Sequence, residues 1–514
     1  MDGSLFVQPR GRRLLLAALL AVAALMRLYH FQTPLVDQLY VKQVHVANHA
    51  RNIASPSWNP LRFSFDFLDE RGDRMVLTEE VPLYNGLVGA TYSLFGEHEW
   101  LGRVWSLLAT LVTILALYDL VRREFDVETG LVAAFLFAMS PLSIFYGRAL
   151  LPDPWMTASM VLCVGAYRRY LDEGEQHRWL AAAALAGLSA AMFKTFGLLV
   201  LVPLADMAYR RGGWRAWFSP RFLLLVAAIV VPIAVWIVGV FVRVPNPTAH
   251  TTYFFWQSPG SLWHHRLYVR LTFGMFFNDC GPVATILIVQ GILGALLGKE
   301  RSRPLWGWSA AGIVYLFAFA PKLMDHDYYE LIVLPVLATW GALGWHVAKR
   351  IVQRRIGTAV WTGAATVALA TVIQSPLIMK AKYDLEIGHV IVAERLKELC
   401  SPTGRVVVIG QRIGWPEVHY CGHQGWVEQC YILPRDWRER FEKYRSLGAE
   451  YAAVYFDPTV TPGQRASFQP LLAELPVVEH ESGPWFRRKK TCEYYILDLR
   501  GQSPALTARP QERR

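Results

Sequence analysis

The stretch FLLLVAAIVVPIAVWIVGVFV, residues 222–242, runs for 21 residues without a charged side chain. A helix needs about 20 apolar residues to cross the hydrocarbon core of a bilayer, so this stretch alone predicts a membrane span. The chain is basic shortly before it, at Arg215, and turns polar again at Arg243. This pattern indicates an integral membrane protein.

Ten other apolar stretches accompany it, and together they predict about eleven transmembrane helices. Of the 514 residues, 53% are hydrophobic and 18% are charged, whereas a soluble domain carries about 25% charged residues. Several stretches are shorter than a full span, and the two between residues 179 and 208 are also compatible with a re-entrant pair. The ten run over residues 14–28, 101–121, 131–146, 155–167, 179–193, 196–208, 282–297, 305–320, 328–346 and 359–373.

The net charge of +11 lies largely in short connectors between these stretches. Basic residues such as Arg122, Arg168 and Lys349 follow alternate stretches, so with eleven spans they all fall on one side, which the positive-inside rule assigns to the cytoplasm. We therefore expect a cytoplasmic N-terminus, an extracytoplasmic C-terminal domain and no nucleic-acid partner. Residues 21–23 resemble a signal-peptidase site, but the apolar run continues past them, which favours an uncleaved first helix.

This organisation predicts that the chain has three parts. Residues 1–378 form the predicted membrane domain, whose first outer loop, residues 29–100, contains helix-like stretches that we expect to lie at the interface. Residues 379–500 have the composition of an extracytoplasmic α/β domain. The polar tail, residues 501–514, is expected to be disordered.

The α/β prediction rests on three short runs rich in β-branched and aromatic residues. They are RVVVIG, YAAVYF and YYILDL, at residues 405–410, 451–456 and 494–499. This domain also holds four of the six cysteines. An exported domain permits disulfides, with Cys421 and Cys430 as the candidate pair, while buried thiols stay an open alternative.

Two acidic residues, Asp37 and Asp153, stand on the predicted outer side. Each has a structural interpretation as a helix cap, because an Asp before a helix accepts its free N–H groups and Pro154 suits a first helical turn. The functional interpretation comes from neighbouring cations in short outer loops, at Arg148 and Lys194, where a charge near the bilayer core needs a partner. Together, the two cations could hold a phosphate at the lipid boundary.

Structural alternatives exist for both cations as well. Arg148 could simply pair with Asp153, and Lys194 could extend its ammonium group to the interface. The functional interpretation is favoured for Lys194, whereas the functional and the structural interpretation both stay open for Arg148. A further polar cluster around His326 and Tyr328 crowds the start of a predicted span, and we expect these two residues to contact substrate. Adjacent carboxylates and a histidine are a weak signal for metal, and no metal site is predicted.

Four motifs in a fixed order resemble the GT-C superfamily, and more narrowly the bacterial protein O-mannosyltransferase and aminoarabinose-transferase clan. They are EEVPLYNGLVGATYSLFGEHEWLGRVWSLLATL, SPLSIFYGRALLPDPWM, AAMFKTFGLLVLVPL and HDYYELIVLPVLA, at residues 79–111, 140–156, 190–204 and 326–338. The likeness covers roughly residues 10–375. It implies an integral-membrane glycosyltransferase that uses a polyprenyl-phosphate-linked sugar as donor and inverts the anomeric carbon in a single displacement.

By position, the resemblance implies that Asp37 is the catalytic base, Asp153 the second acid and Lys194 the lysine near the lipid phosphate. Glu80 and Tyr84 match an E-x-P-x-Y pattern expected to contact substrate. Many relatives carry a pair of acids where this chain has Asp37 followed by Gln38, a departure that bears on the assignment of the base.

The second hypothesis is a polytopic transporter or lipid flippase. Transporters commonly show internal repeats and polar residues at the midplane, whereas here no repeat is visible and the polar residues gather at one face. No nucleotide-binding motif and no cofactor are expected, because a lipid carrier delivers the sugar. The expected partners are that donor, membrane lipid, and an acceptor that is a lipid, a glycan or a protein. The expected location is a bacterial inner membrane.

Overall fold

The computed structural model describes residues 9–55, 64–76, 80–243, 258–298, 302–356, 359–410 and 414–501. The predicted disordered tail, apart from its first residue, and Glu79 of the first motif lie outside these residues. The chain forms two compact units. The first comprises residues 1–31, 78–84 and 100–381, and the second comprises residues 32–77, 85–99 and 382–514.

The first unit is almost entirely helical. Its longer helices are Pro9–Arg27, Glu99–Glu124, Val127–Met139, Asp153–Asp172, His177–Phe193, Leu201–Gly212, Pro220–Arg243, the π-helix Arg270–Cys280, Pro282–Leu296, Arg303–Ala318, Leu334–Ile356 and Ala359–Met379. Its shorter helices and 3-10 turns are Pro141–Tyr146, Thr195–Val200, Gly213–Phe218, Pro259–Trp263, His265–Val269, Ala320–Leu323 and Asp327–Ile332. Every apolar stretch of the sequence falls largely within these elements, because its backbone polar groups need partners inside the segment.

The number of membrane-spanning helices differs from the expectation. Among the described residues, Glu99–Glu124 and Pro220–Val240 are long and apolar enough to cross a membrane, and His265–Cys280 with Pro282–Leu296, bent by 117°, would make a third if the pair is one span. The predicted count of about eleven is therefore not confirmed. Other apolar stretches lie in shorter helices or in helices with several charges, such as the arginines of Pro9–Arg27.

Two glycines allow a close helix contact inside the first unit. Helix Pro282–Leu296 packs against Leu334–Ile356. A Cβ atom on Gly344 would lie 1.8 Å from the carbonyl oxygen of Leu287, and one on Gly291 would lie 2.0 Å from that of Trp340. Small residues at such positions let helix backbones approach within a membrane protein.

We predict that Gly344→Ala destabilises the protein by about 1–3 kcal/mol, because the added methyl group would force the two helices apart. Thermal unfolding in detergent measures this effect. Gly165→Ala is the matched control, since a Cβ atom there meets no other atom within 4 Å. An equal loss of stability in both variants would contradict the close contact at Gly344.

The second unit is built on a seven-stranded sheet with the strand order β2-β1-β4-β3-β5-β7-β6. The central strands β3, β4 and β5 are parallel, β1 is parallel to β4, and the remaining pairs are antiparallel. The strands are β1 Ser64–Leu68, β2 Arg74–Val76, β3 Arg405–Gly410, β4 Gly425–Gln429, β5 Ala449–Phe456, β6 Val477–Phe486 and β7 Lys490–Asp498. The helices are Tyr40–Ala54, Leu83–Phe95 (which begins in the first unit), Gly388–Leu399, Trp415–Cys421, Trp437–Ser446, Pro462–Ser467 and Gln469–Glu474.

The three predicted β-type runs correspond to β3, β5 and β7. The run VVVI in β3 is wholly buried, as expected for a central parallel strand covered on both faces. All six cysteines are free thiols, so the candidate pair of Cys421 and Cys430 does not form. Cys421 ends helix Trp415–Cys421, and Cys430 directly follows strand β4.

Candidate active site

Lys194 lies at a break between two helical segments of the first unit. Its backbone is extended, with φ −160° and ψ 134°, so it ends helix His177–Phe193 and precedes the 3-10 turn Thr195–Val200. The turn folds tightly against the helix, and a Cβ atom on Gly197 would lie 2.3 Å from the carbonyl carbon of Ala190. The glycine therefore permits the break that places the lysine side chain inside the protein.

The ammonium group of Lys194 forms an ion pair with Asp153. Lys194 Nζ lies 2.8 Å from Asp153 Oδ1, and the two side chains are only 2% and 1% exposed. The lysine side chain is therefore buried inside the protein. Asp153 is the first residue of helix Asp153–Asp172, whose capping position is Pro152, and Asp153 Oδ2 has no hydrogen-bond partner among the described residues.

Aromatic rings surround this ion pair. Lys194 Nζ lies 4.7 Å from the ring centre of Tyr329, 4.8 Å from that of Tyr328 and 5.8 Å from that of Phe196. Rings at these distances attract a cation through their negative faces. The predicted contact Tyr328 is thus part of the Lys194 site, while Tyr329 and Phe196 were not predicted, although both lie in the quoted motifs.

Two other predicted contacts lie near Tyr328. The ring of His326 is 5.6 Å from the ring of Tyr328, and His326 is half-buried. Glu80 is close enough to Tyr328 for an electrostatic interaction. The structure therefore brings Lys194, Asp153 and Tyr328 together, with His326 and Glu80 nearby.

Tyr84 is a buried member of a hydrogen-bond chain. Its hydroxyl donates to the carbonyl oxygen of Gly102 at 2.8 Å and lies 2.8 Å from Ser106 Oγ. The Ser106 hydroxyl in turn donates to the carbonyl oxygen of Leu151 at 3.3 Å. This chain connects Tyr84 to the loop that precedes Asp153.

Asp153 pairs with Lys194, and Arg148 contacts the backbone of the turn at His30. Its Nη1 donates to the carbonyl oxygen of His30 at 3.1 Å, and Arg103 donates to the same oxygen at 3.1 Å and to that of Phe31 at 2.7 Å. His30 has a left-handed backbone with φ 54°, which is uncommon for a residue with a side chain. Two buried guanidinium groups thus hold this turn.

Sequence reasoning missed two fully buried arginines, Arg27 and Arg103. Arg27 donates to the carbonyl oxygens of Ala23 and Ala138 at 2.8 and 2.9 Å and to Ser143 Oγ at 2.7 Å. Both arginines lie within or beside predicted spans, where an ionisable residue is by default a functional candidate. That rule would have identified them.

A second charged cluster lies in the same unit. Arg270, the first residue of the π-helix, donates from Nε and Nη2 to Glu330 at 2.8 and 2.9 Å and also pairs with Asp279. Both carboxylates are buried. Within the described residues, no group of three or more His, Cys, Asp and Glu side chains is arranged to hold a metal ion.

Asp37 belongs to the second unit and is 1% exposed. Its Oδ1 accepts hydrogen bonds from Gln43 Nε2 at 2.8 Å and from the backbone N–H of Leu39 at 3.2 Å. Helix Tyr40–Ala54 begins three residues later with Leu39 as its capping position, so Asp37 is not the cap that the sequence also allowed. The hydrogen bond from the fully buried Gln43 was not predicted.

Comparison with known proteins supports the motif resemblance. Residues 80–238 match the family described as dolichyl-phosphate-mannose-protein mannosyltransferase. The undecaprenyl phosphate-alpha-4-amino-4-deoxy-L-arabinose arabinosyl transferase of Pseudomonas aeruginosa is 30% identical over 178 residues, which are 33% of this chain and 32% of that protein. The match therefore spans about a third of the curated relative's length.

Solved structures extend the likeness over almost the whole chain. ArnT from Cupriavidus metallidurans bound to undecaprenyl phosphate matches with a TM-score of 0.61 and 13% identity, covering 96% of this chain and 99% of that chain. AglB from Archaeoglobus fulgidus, in complex with an inhibitory peptide and a dolichol-phosphate, matches with a TM-score of 0.53 and 15% identity, covering 87% and 73%. The chain therefore shares the fold of these two solved structures, and the resemblance read from the motifs is confirmed.

Proposed function

We propose that this protein is an integral-membrane glycosyltransferase that moves a sugar from a polyprenyl-phosphate donor to an acceptor hydroxyl. The buried pair of Lys194 and Asp153 carries this proposal, because a buried ion pair adds little net stability and therefore calls for another reason to exist. Support comes also from the GT-C fold and from the lipid phosphates bound by ArnT and AglB.

On the donor side, we assign the lipid phosphate to Lys194, with Arg148 as the second cation. When the glycosidic bond breaks, its electron pair moves to the phosphate oxygen, and a fixed ammonium group stabilises the negative charge that develops there. The rings of Tyr328 and Tyr329 exclude water around the ammonium, which strengthens its attraction to phosphate.

On the acceptor side, we assign the catalytic base to Asp37. The acceptor oxygen attacks the anomeric carbon as the bond from that carbon to the phosphate oxygen breaks, through an oxocarbenium-like state. The hydroxyl proton passes to the carboxylate of Asp37, and the products are the glycosylated acceptor and the polyprenyl phosphate. A single displacement of this kind inverts the anomeric centre.

The remaining predicted residues are assigned to sugar recognition and support. The second oxygen of Asp153 offers a buried acceptor to a sugar hydroxyl. Glu80, His326 and Tyr328 offer further polar groups beside it, and Tyr84 supports the Asp153 loop through Ser106. No cofactor enters this scheme.

The proposed reaction takes place on the extracytoplasmic side of a bacterial inner membrane, with the N-terminus in the cytoplasm and residues 379–500 outside. This orientation follows from the distribution of basic residues among the connectors. The acceptor is a lipid, a glycan or a protein hydroxyl. The comparisons lend no support to the transporter alternative.

The purified protein, incubated with a panel of polyprenyl-phosphate sugars and a bacterial membrane extract as acceptor, should consume at least one donor. We expect equal amounts of free polyprenyl phosphate and glycosylated acceptor, both quantified by mass spectrometry. Heat-denatured protein controls for spontaneous hydrolysis. Passage of intact donor across a proteoliposome membrane, without release of polyprenyl phosphate from any sugar, would instead identify a flippase.

A further inference from the structure

The backbone on both sides of Asp37 is bound to one short segment of the second unit. The N–H of Glu386 donates to the carbonyl oxygen of Val36 at 2.8 Å, and the N–H of Gln38 donates to that of Lys382 at 3.3 Å. Asp37 therefore lies between two backbone contacts with residues 382–386. Val36 is fully buried, so the bond from Glu386 forms away from solvent.

That segment is held in turn by a buried histidine. His389 Nδ1 lies 2.6 Å from Glu417 Oε1, and its Nε2 lies 3.3 Å from Glu386 Oε2. All three side chains are no more than 1% exposed. Glu386 has a second cation at its other oxygen, since Arg487 Nε lies 2.5 Å from Oε1.

Both ring nitrogens of His389 face carboxylate oxygens, an arrangement that favours a charged histidine. A neutral imidazole carries one N–H group and can donate to only one carboxylate, whereas an imidazolium donates to both. Burial by itself would lower the pKa of His389, but the carboxylates of Glu417 and Glu386 raise it to about 10. The rings of Tyr40 and Tyr455, centred 5.0 and 4.8 Å away, complete its surroundings.

Helix Tyr40–Ala54 starts directly after the turn that contains Asp37. His389 is connected to this turn through two contacts. It holds Glu386 through a charged hydrogen bond, and its ring packs on the first residue of the helix that follows Asp37. His389 is thus connected to the residues before Asp37 through Glu386, whose N–H binds Val36, and to the residues after it through the ring of Tyr40.

We propose that His389 is a positioning residue: its imidazolium fixes Glu386, and thereby the Val36–Gln38 backbone that orients the Asp37 carboxylate. This inference rests on the proposed role of Asp37 as base. It gives the C-terminal segment an indirect effect on the rate, because misplacing a reacting group by about 1 Å can cost about 100-fold in rate.

The test replaces His389 with glutamine, which keeps a hydrogen-bonding side chain but removes the charge. His480→Gln is the control, since His480 lies in the same unit on β6, is about half exposed and pairs with Glu493. We expect kcat to fall about ten- to a hundredfold in H389Q with little change in donor KM, and no change in either constant in H480Q.

Hydrogen exchange followed by mass spectrometry gives a second readout that does not require turnover. Peptides covering residues 32–40 should exchange faster in H389Q than in the wild-type protein, while the rest of the sheet keeps its protection. The difference between the two proteins should shrink as pH rises through about 10, where the wild-type His389 loses its proton.

The outcomes separate this proposal from the catalytic one. Unchanged exchange at residues 32–40 in folded H389Q overturns the positioning role, whatever the activity. If the wild-type protein transfers no sugar but residues 32–40 exchange faster in H389Q, the proposed function fails and the structural role of His389 stands. If H389Q does not fold, the H389Q/E417Q double variant, which removes the extra buried carboxylate, is measured by the same criteria.

Discussion

Asp37→Asn should reduce kcat by about 10²–10⁴-fold, the usual contribution of a general base, while leaving donor binding intact. Asparagine has nearly the same shape as aspartate, and its Oδ1 still accepts the hydrogen bonds from Gln43 and from the N–H of Leu39. What it loses is the ability to take a proton at neutral pH. Initial rates at saturating donor, together with a direct donor-binding measurement, check both parts of this expectation.

Asp69→Asn provides the matched control for this variant. Asp69 also belongs to the second unit and also accepts backbone hydrogen bonds within a turn, from Arg71 and Asp73 at 2.9 Å. It should tolerate the change without loss of turnover. Turnover close to the wild-type value in D37N, with the expected fold intact, would remove Asp37 as the base.

The side-chain contacts of Asp37 also bear on the departure from relatives that carry two acids at this point. Gln38 is exposed, and its described contact is the backbone bond to Lys382. The buried carboxylate of Asp37, in contrast, is held by two donors. Within the second unit, Asp37 is therefore the better oriented of the two side chains, which is consistent with its assignment as the single base.

The sequence predicted the helical elements well because an apolar stretch without charges has few alternatives to a helix. Residues 222–242, for example, lie within helix Pro220–Arg243. The number of spans could not be obtained in the same way. Breaks such as the one at Lys194 depend on how closely Gly197 packs against Ala190, which is a tertiary contact.

Pairings between distant residues were equally hard to predict. Lys194 and Asp153 were both singled out, but the sequence offered Arg148 as the partner of Asp153, and the ion pair between Lys194 and Asp153 is a tertiary contact that no local pattern reveals. Strands β1 and β2 escaped prediction for a related reason. They come from the first outer loop and join a sheet formed mostly by residues after 400, so no local pattern reveals their partner.

Lys194→Met should lower kcat/KM for the donor by about 10²–10³-fold, the loss expected when one fixed donor to a developing negative charge is removed. Methionine preserves much of the side-chain volume between the rings of Tyr328 and Tyr329, so the main change is the missing charge. The effect should fall on donor use, with acceptor KM little changed. Steady-state kinetics with each substrate varied in turn makes this distinction.

Lys194→Met alone also leaves the buried carboxylate of Asp153 without the partner Lys194, which would cost about 3–5 kcal/mol of stability. The K194M/D153N double variant removes both charges and should recover most of that stability without recovering activity. Lys349→Met is the control for loss of an ion-paired lysine, because Lys349 pairs with Glu128 at 2.7 Å elsewhere in the first unit. Activity restored in the double variant would mean that Lys194 serves only to neutralise Asp153, and equal effects on donor and acceptor would count against its contact with phosphate.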